Sequence, residues 1–197
     1  MNNISILKKI FPVPPNNNYN GLNYDDEGLY SITHPKEADI ISLSIIEILG
    51  TNNINIVDLT AGCGGNMISF MKHFTNVLGI EINTDRYNIL KGNLAKYSNN
   101  NYELICADAT DIINNSINYE NYDVYFIDPP WGGPDYKKNS NIQLYLSNIK
   151  LDDFILMLPK NKLIVLKLPF NYNYTFINLY LIKKIIINNI LILFIKL

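Results

Sequence analysis

One ten-residue stretch constrains this chain more than any other: Val57-Asp58-Leu59-Thr60-Ala61-Gly62-Cys63-Gly64-Gly65-Asn66. The β-branched run at 54–59 reads as a buried strand, 60–65 as a glycine turn, and 66–74 as a helix. A strand that passes through a tight turn into a helix belongs to a parallel sheet, because the helix carries the chain back for the next strand. The same alternation continues downstream. Strands are expected at 77–80, 102–106, 122–127 and 163–168, with helices at 84–97 and 152–158 and a short helix between the strands at 102–106 and 122–127. Thr84 is the expected cap of its helix. Upstream, a helix is expected at 35–49, with Thr33 as cap, Pro35 in the first turn and Gly50 as its stop. The runs 180–187 and 190–197 flank Asn188-Asn189 and read as a hairpin. The pattern is α/β, a parallel sheet with an antiparallel addition at its end.

The chain has 197 residues, enough for one domain. Residues before about 30 show no clear period, and Phe11-Pro12-Val13-Pro14-Pro15 with three following asparagines reads as an irregular arm. The expected organisation is an arm over 1–33 and one domain over 34–197. There are 31 Asn and 32 Ile, nearly a third of the chain, as an AT-rich genome would produce. Single Asn, Ile, Lys or Tyr residues therefore carry little information, whereas clustered Gly, Pro, Trp and Asp carry more. Hydrophobic residues at 48% and charged residues at 17% supply a core and exclude wholesale disorder. A net charge of −2 argues against coating long nucleic acid through its phosphates, so a nucleic-acid substrate would be gripped as a small piece. The apolar run 190–195 is far short of a membrane span, and no signal-peptide core follows Lys8 and Lys9. Two cysteines, Cys63 and Cys106, build neither a disulfide framework nor a zinc site, and suit a reducing compartment. His34 and His73 add no metal pattern, so no metal is expected.

The glycine turn lacks the third glycine of a dinucleotide fingerprint, since Met67 stands there. Its spacing, Asp58-x-x-x-Gly62-x-Gly64, instead resembles the first motif of class I S-adenosylmethionine-dependent methyltransferases. The physical logic is consistent. A helix N-terminus holds the ligand's carboxylate, and Asp58 takes its ammonium group. Glu81, 23 positions on, ends the second strand and can accept both ribose hydroxyls. Asp108 follows the third strand and could bind the adenine amine. Each acid alone reads as a surface or capping carboxylate. All three at strand ends, in order, read as a cofactor site.

After the fourth strand comes Asp128-Pro129-Pro130-Trp131-Gly132-Gly133-Pro134-Asp135-Tyr136. Without further context this is a rigid loop with a core tryptophan. At the carboxyl end of a central strand, Asp128-Pro129-Pro130-Trp131 resembles the catalytic motif of amino-methyltransferases. An exocyclic base amine is a poor nucleophile because its lone pair is delocalised into the ring. The Asp128 side chain and the Pro129 carbonyl can accept its two hydrogens, the prolines fix the carbonyl's direction, and Trp131 can stack on the base. A positively charged methylated guanine would add a cation–π contribution of roughly 1–2 kcal/mol.

The longer loop resembles that of the trimethylguanosine synthases, Ser-Pro-Pro-Trp-Gly-Gly-Pro-Asp-Tyr. Asp58 to Asn66 is similar to their Asp-Ala-Phe-Cys-Gly-x-Gly-Gly-Asn. Asp25-Asp26-Glu27-Gly28-Leu29-Tyr30-Ser31-Ile32-Thr33 is similar to their Asp-x-Glu-Gly-Trp-Phe-Ser-Val-Thr-Pro-Glu. Ile164-Val165-Leu166-Lys167-Leu168-Pro169-Phe170-Asn171 is similar to their Ile-Val-Tyr-Phe-Leu-Pro-Arg-Asn. The resemblance implies a class I methyltransferase fold, a mostly parallel seven-stranded sheet with helices on both faces, a C-terminal β-hairpin and an N-terminal extension over the active site. It implies methyl transfer from S-adenosylmethionine to the exocyclic 2-amino group of a 7-methylguanosine RNA cap. Catalysis would fall to Asp128, Pro129, Pro130 and Trp131. The cofactor would lie against Ser31, Thr33, Asp58, Thr60, Ala61, Gly62, Gly64, Asn66, Glu81, Ile82, Asp108, Ala109 and Asp128, and the cap against Trp131, Pro134, Tyr136 and Asn171. Capped RNA is the implied partner of a monomer, placed in the nucleus of a cell or in the host cytoplasm or viral factory of a virus, and not secreted.

Several positions depart from that pattern, among them His34, which is inserted between Thr33 and Pro35. Asp128 replaces a serine, Asn23 a lysine and Phe170 an arginine that reaches the cap phosphates. Asn23 and Phe170 remove charge-assisted contacts. Lys137, Lys138, Lys160 and Lys167 are at hand to substitute, although each reads as a solvated lysine. Cys63 reads as packed within the turn, and Asp26 as solvated. Two alternatives stay open: an amino-methyltransferase acting on adenine or guanine within RNA or DNA, and a degenerate cap-binding module without catalysis.

Overall fold

The computed structural model describes residues 3–97, 99–111, 121–138 and 140–197. Its strands are β1 (Asn55–Asp58), β2 (Asn76–Glu81), β3 (Tyr102–Cys106), β4 (Val124–Ile127), β5 (Tyr145–Leu146), β6 (Ile149–Lys150), β7 (Leu163–Pro169), β8 (Leu181–Ile187) and β9 (Ile190–Lys196). The main sheet has seven strands in the order β3-β2-β1-β4-β7-β9-β8. Pairings from β3 across to β7 are parallel, and β9 is antiparallel to both β7 and β8. The chain enters at the centre, runs outward to β3, then crosses to the other side at β4. The reversal opens a crevice at the carboxyl ends of β1 and β4, where open α/β sheets bind their ligands. Asp58 ends β1, and Asp128 follows β4 directly.

Both faces of the central strands are covered, which is why β1, β4 and β7 read as continuous apolar runs, whereas the edge strand β8 alternates half-buried and exposed residues. Successive β1 residues, Ile56 and Val57, enter opposite apolar layers. The first layer takes Leu7 from α1 (Ile4–Ile10), Ile41 and Ile45 from α3 (Pro35–Leu49), Phe70 from α4 (Gly65–His73) and Leu90 from α5 (Thr84–Leu94). The second takes Leu151, Phe154 and Ile155 from α6 (Leu151–Met157). A four-residue helix, α2 (Gly28–Ser31), lies between α1 and α3. At the hairpin, Asn188 and Asn189 have φ of 49° and 66°. Asparagine tolerates this left-handed backbone, and two such residues make the turn whose twist suits a β-ribbon.

Three local expectations differ from the structure. The arm is not wholly irregular, because α1 forms within it. Asn3 caps α1 by accepting the Ser5 amide, and Leu7 and Phe11, four residues apart, enter the core. Thr33 does not cap α3. His34 holds that position without a side-chain bond, because the Thr33 hydroxyl is buried and accepts from the Asn66 amide at 2.9 Å. Asn83, not Thr84, caps α5, its Oδ1 accepting from the Arg86 amide at 3.0 Å. The short helix expected after β3 falls on residues 112–120, which lie outside the described residues.

The arm is sewn to the domain by one buried amide. Asn93 on α5 is fully buried; its Nδ2 donates to the carbonyls of Asn23 and Cys63, each at 2.8 Å, and its Oδ1 accepts from the Asn23 amide at 2.8 Å. One side chain thus satisfies backbone groups of both the arm and the glycine turn. Tyr97 adds a bond from its hydroxyl to the Pro12 carbonyl at 2.8 Å. Asn93→Ala should strand these groups and cost roughly 3 kcal/mol. Thermal unfolding followed by circular dichroism should show a Tm about 6–12 °C lower; an unchanged Tm would remove Asn93 from this role.

Candidate active site

Four segments converge at the carboxyl edge of the sheet, and hydrogen bonds join them. The Asp128 amide donates to Thr60 Oγ1 at 2.7 Å, tying the Pro-Pro-Trp loop to the glycine turn. The Gly62 amide donates to Glu81 Oε2 at 2.9 Å, tying that turn to the end of β2. Asn66 Nδ2 holds Thr33 of the arm. A side chain at Gly65 would meet the Thr33 backbone at 2.8 Å, so the arm crosses α4 where only glycine leaves room. Gly64, with φ of 100°, turns the chain into α4. Of the expected cofactor positions, Thr33, Asp58, Thr60, Ala61, Gly62, Gly64, Asn66, Glu81 and Asp128 are thus linked or adjacent in one constellation. Ser31 joins through its carbonyl, which lies 3.4 Å from Lys167 Nζ.

Asp58 is the least satisfied carboxyl of the site. It is fully buried; Oδ1 accepts from the Thr60 amide at 3.0 Å, and Oδ2 has no hydrogen-bond partner among the described residues. Burial pushes its carboxyl up to about 8, the Thr60 amide opposes this, and the negative charges of Asp128 and Glu81 add to it. A buried carboxylate oxygen without a partner is suited to a cation, so this position fits the ammonium group of S-adenosylmethionine. Glu81 is also buried and raised by desolvation. Its oxygens take backbone N–H groups from Gly62 and Asn83, which fixes the carboxylate while leaving lone pairs for two hydroxyls. Ile82 beside it is 58% exposed, an apolar surface at the strand end that fits a flat heterocycle.

Asp108 follows the capping pattern. Oδ1 accepts from the Thr110 amide and hydroxyl, each at 2.8 Å, and Oδ2 from Ser147. Ala109 is buried beside it. In the Pro-Pro-Trp loop the peptide bonds are trans, Pro129 is buried and Pro130 exposed. Trp131 is half-buried and meets Tyr136 edge-on, with ring centroids 5.0 Å apart. Asn171 donates to the Tyr136 carbonyl at 2.9 Å, bringing the end of β7 under the loop, and Pro134 opens its last turn, Pro134–Lys138. Cys63 is buried in the turn with its thiol pushed up to about 12 by desolvation, which leaves it unreactive.

Two side chains at the site escape a sequence reading. Lys167 is not solvated: it is 4% exposed, its Nζ lies 2.5 Å from Asp128 Oδ2 and 5.2 Å over the Trp131 ring. The signal available was a lysine inside an otherwise apolar strand. Arg86 donates to Asp25 at 2.8 Å and to Glu27 at 2.5 Å, and its Nη1 stands 3.9 Å from Glu81. It links the arm's acidic turn to the Glu81 end of β2, and it is the chain's single arginine in a composition that selects against arginine. Asn23, in place of a lysine, is spent on Asn93 through its backbone, and Phe170 is 51% exposed at the rim. Among the described residues no group of three or more His, Cys, Asp or Glu could hold a metal ion, and no helix is long and apolar enough to cross a membrane.

Comparison with known proteins places the chain in a family. The chain is 28% identical over 220 residues to the uncharacterized protein L320 of Acanthamoeba polyphaga mimivirus, covering 98% of this chain and 86% of that one. It is 33% identical over 150 residues to the trimethylguanosine synthase of Schizosaccharomyces pombe, covering 66% of this chain and 62% of the yeast protein. The fold matches the Thermus thermophilus 16S rRNA N2 G1207 methyltransferase, solved with AdoMet and guanosine, at a TM-score of 0.61 and 15% identity, over 81% of this chain and 42% of that one. The model of the family described as RNA cap guanine-N2 methyltransferase matches residues 53–192. The chain therefore belongs to the RNA cap guanine-N2 methyltransferases, S-adenosylmethionine-dependent enzymes on the class I methyltransferase fold.

Proposed function

We propose that this chain methylates the exocyclic 2-amino group of a 7-methylguanosine RNA cap, giving di- or trimethylguanosine caps. One observation carries the reading: the Asp128 amide bonded to Thr60 sets the amine-binding loop directly against a glycine turn whose Asp58 keeps a buried oxygen for a cation. Bound S-adenosylmethionine supplies an electrophilic methyl group on a sulfonium. Asp58 and the opening of α4 hold its amino-acid end, Glu81 its ribose, and Ile82 with Asp108 and Ala109 its adenine. The arm over residues 1–33, through Ser31 and Thr33, covers the site from the same chain, which suits a monomer. Asp128 and the Pro129 carbonyl accept the hydrogens of the amine, and Pro130 stiffens the loop that aims them. Trp131, braced by Tyr136, clamps the base, and Asn171 and Pro134 shape the loop around the cap. In-line placement supplies most of the rate. A nuclear setting suits a cellular enzyme of this kind and a viral factory or host cytoplasm a viral one; the likeness to a mimivirus protein supports the second.

The decisive experiment is incubation with labelled S-adenosylmethionine and either a 7-methylguanosine or an unmethylated guanosine cap dinucleotide, with products weighed by mass spectrometry. Methyl gain on the 7-methylated cap alone is expected. Transfer to neither cap but to longer uncapped RNA or DNA would favour the amino-methyltransferase of internal bases. Trp131 is the chain's single tryptophan, so its fluorescence reports base stacking directly. The 7-methylated cap should quench it with roughly tenfold higher affinity than the unmethylated cap. Trp131→Ala should abolish cap methylation and leave cofactor affinity unchanged.

Asp58 makes cofactor binding pH-dependent. Free Asp58 is largely protonated at pH 7, because burial holds it near 8. An incoming ammonium group favours the ionised form, so binding releases a proton and tightens as pH rises from 6 to 7.5. Calorimetry in buffers of different ionisation enthalpy should detect that proton, and Asp58→Asn should lose both the proton release and most of the affinity. Affinity that stays flat across this range would refute the assignment. The same group makes the ligand-free fold less stable as pH rises: its folded value lies above 3.8, so stability present near pH 4 declines through pH 8.

A further inference from the structure

The ammonium of Lys167 touches three parts of the site at once. It lies 2.5 Å from Asp128 Oδ2, 3.4 Å from the Ser31 carbonyl and 5.2 Å over the Trp131 ring. It does so from β7, whose residues Leu163 and Val165 enter the first apolar layer. Lys167, next in that alternation, stands where another apolar side chain would. A buried ammonium there is costly unless paired, and Asp128 is the carboxylate that pairs with it. In the motifs this chain resembles, the position of Asp128 holds a serine and that of Lys167 a phenylalanine. Either change alone would bury a lone charge; here both occur.

We propose that Lys167 and Asp128 form one positioning unit, in which Lys167 anchors the carboxylate through Oδ2, leaves Oδ1 to accept from the exocyclic amine, and covers one face of Trp131 so that the base stacks on the other. The proposal rests on the cap-methyltransferase reading above. Lys167 acts through Asp128 and is a positioning residue. Among the described residues, the charged groups at Asp128 are Lys167 on β7 and Asp58 on β1, with the Trp131 N–H nearby and Glu81 on β2 beyond Asp58. That N–H is buried without a hydrogen-bond partner of full geometry, yet it stands close enough to favour the carboxylate's charged form. Burial favours protonation of Asp128, and Lys167 is the cation that opposes it. An ionised Asp128 accepts hydrogens from the amine; a protonated one would present a competing donor.

The test compares the wild type with K167M, D128S and the double variant D128S/K167F. K167M should lower kcat roughly 100-fold at pH 7 with little change in cofactor affinity. Its activity should recover as pH rises, when the unpaired Asp128 ionises. D128S should fall similarly, because Lys167 is left unpaired, and D128S/K167F should recover at least tenfold over D128S, since it buries no lone charge. A double variant no more active than D128S would overturn the unit. A second readout needs neither cofactor nor cap. The pH at which ligand-free Trp131 fluorescence changes should rise in K167M by roughly 1–3 units, and an unmoved transition would refute the anchoring role. If K167M does not fold, the double variant against D128S decides. A wild type inactive on both caps whose fluorescence transition still shifts in K167M would refute the substrate reading and leave the ion-pair unit standing.

Discussion

Three carboxylates, those of Asp58, Glu81 and Asp128, are taken out of water at the carboxyl ends of adjacent strands β1, β2 and β4. Mutual repulsion and desolvation oppose this arrangement, and all three carboxyls are raised above the ordinary range. Each is resolved differently. Glu81 is held by two backbone amides with Arg86 nearby, and Asp128 by Lys167. Asp58 has a single amide and one oxygen left over. The protein thus stores an unmet demand for positive charge at one point, and that point is where a cationic ligand gains most.

The arm depends on the same edge. Arg86 gathers Asp25 and Glu27 beside Glu81, Asn66 holds Thr33, and Gly65 lets the arm's backbone pass within van der Waals distance of α4. Asn93 closes the seam from below. The segment ahead of the first strand is therefore continuous with the core, with Leu7, Phe11, Tyr19 and Leu22 buried in the layer that covers the sheet. Ordering the arm and ordering the glycine turn are coupled through these few polar contacts.

Most of the fold was legible in the sequence, because short β-branched runs and glycine stops report strands and turns without distant partners. The strands at 54–59, 77–80, 102–106, 122–127 and 163–168, and the Asn-Asn hairpin, appear within one or two residues of expectation. Apart from the α5 cap, which falls on Asn83 one residue before Thr84, the errors lie where partners come from far along the chain. Thr33 looks like a cap until Asn66 takes its hydroxyl, and α1 gains its stability from a core that the local pattern does not display. Lys167 and Arg86 look like ordinary cations, and only their neighbours at sequence distances of 39 and 61 give them work.

What the sequence by itself determined was the chemistry on offer: an acid ahead of a glycine turn, acids at successive strand ends and an Asp-Pro-Pro-Trp loop, because each is a local arrangement of residue types. What only the tertiary structure decided was which charge meets which. Strand order β2-β1-β4-β7 sets Lys167 against Asp128 and leaves Asp58 between two other acids. Electrostatic energy depends on distance and burial, and neither is written along the chain until the sheet has formed.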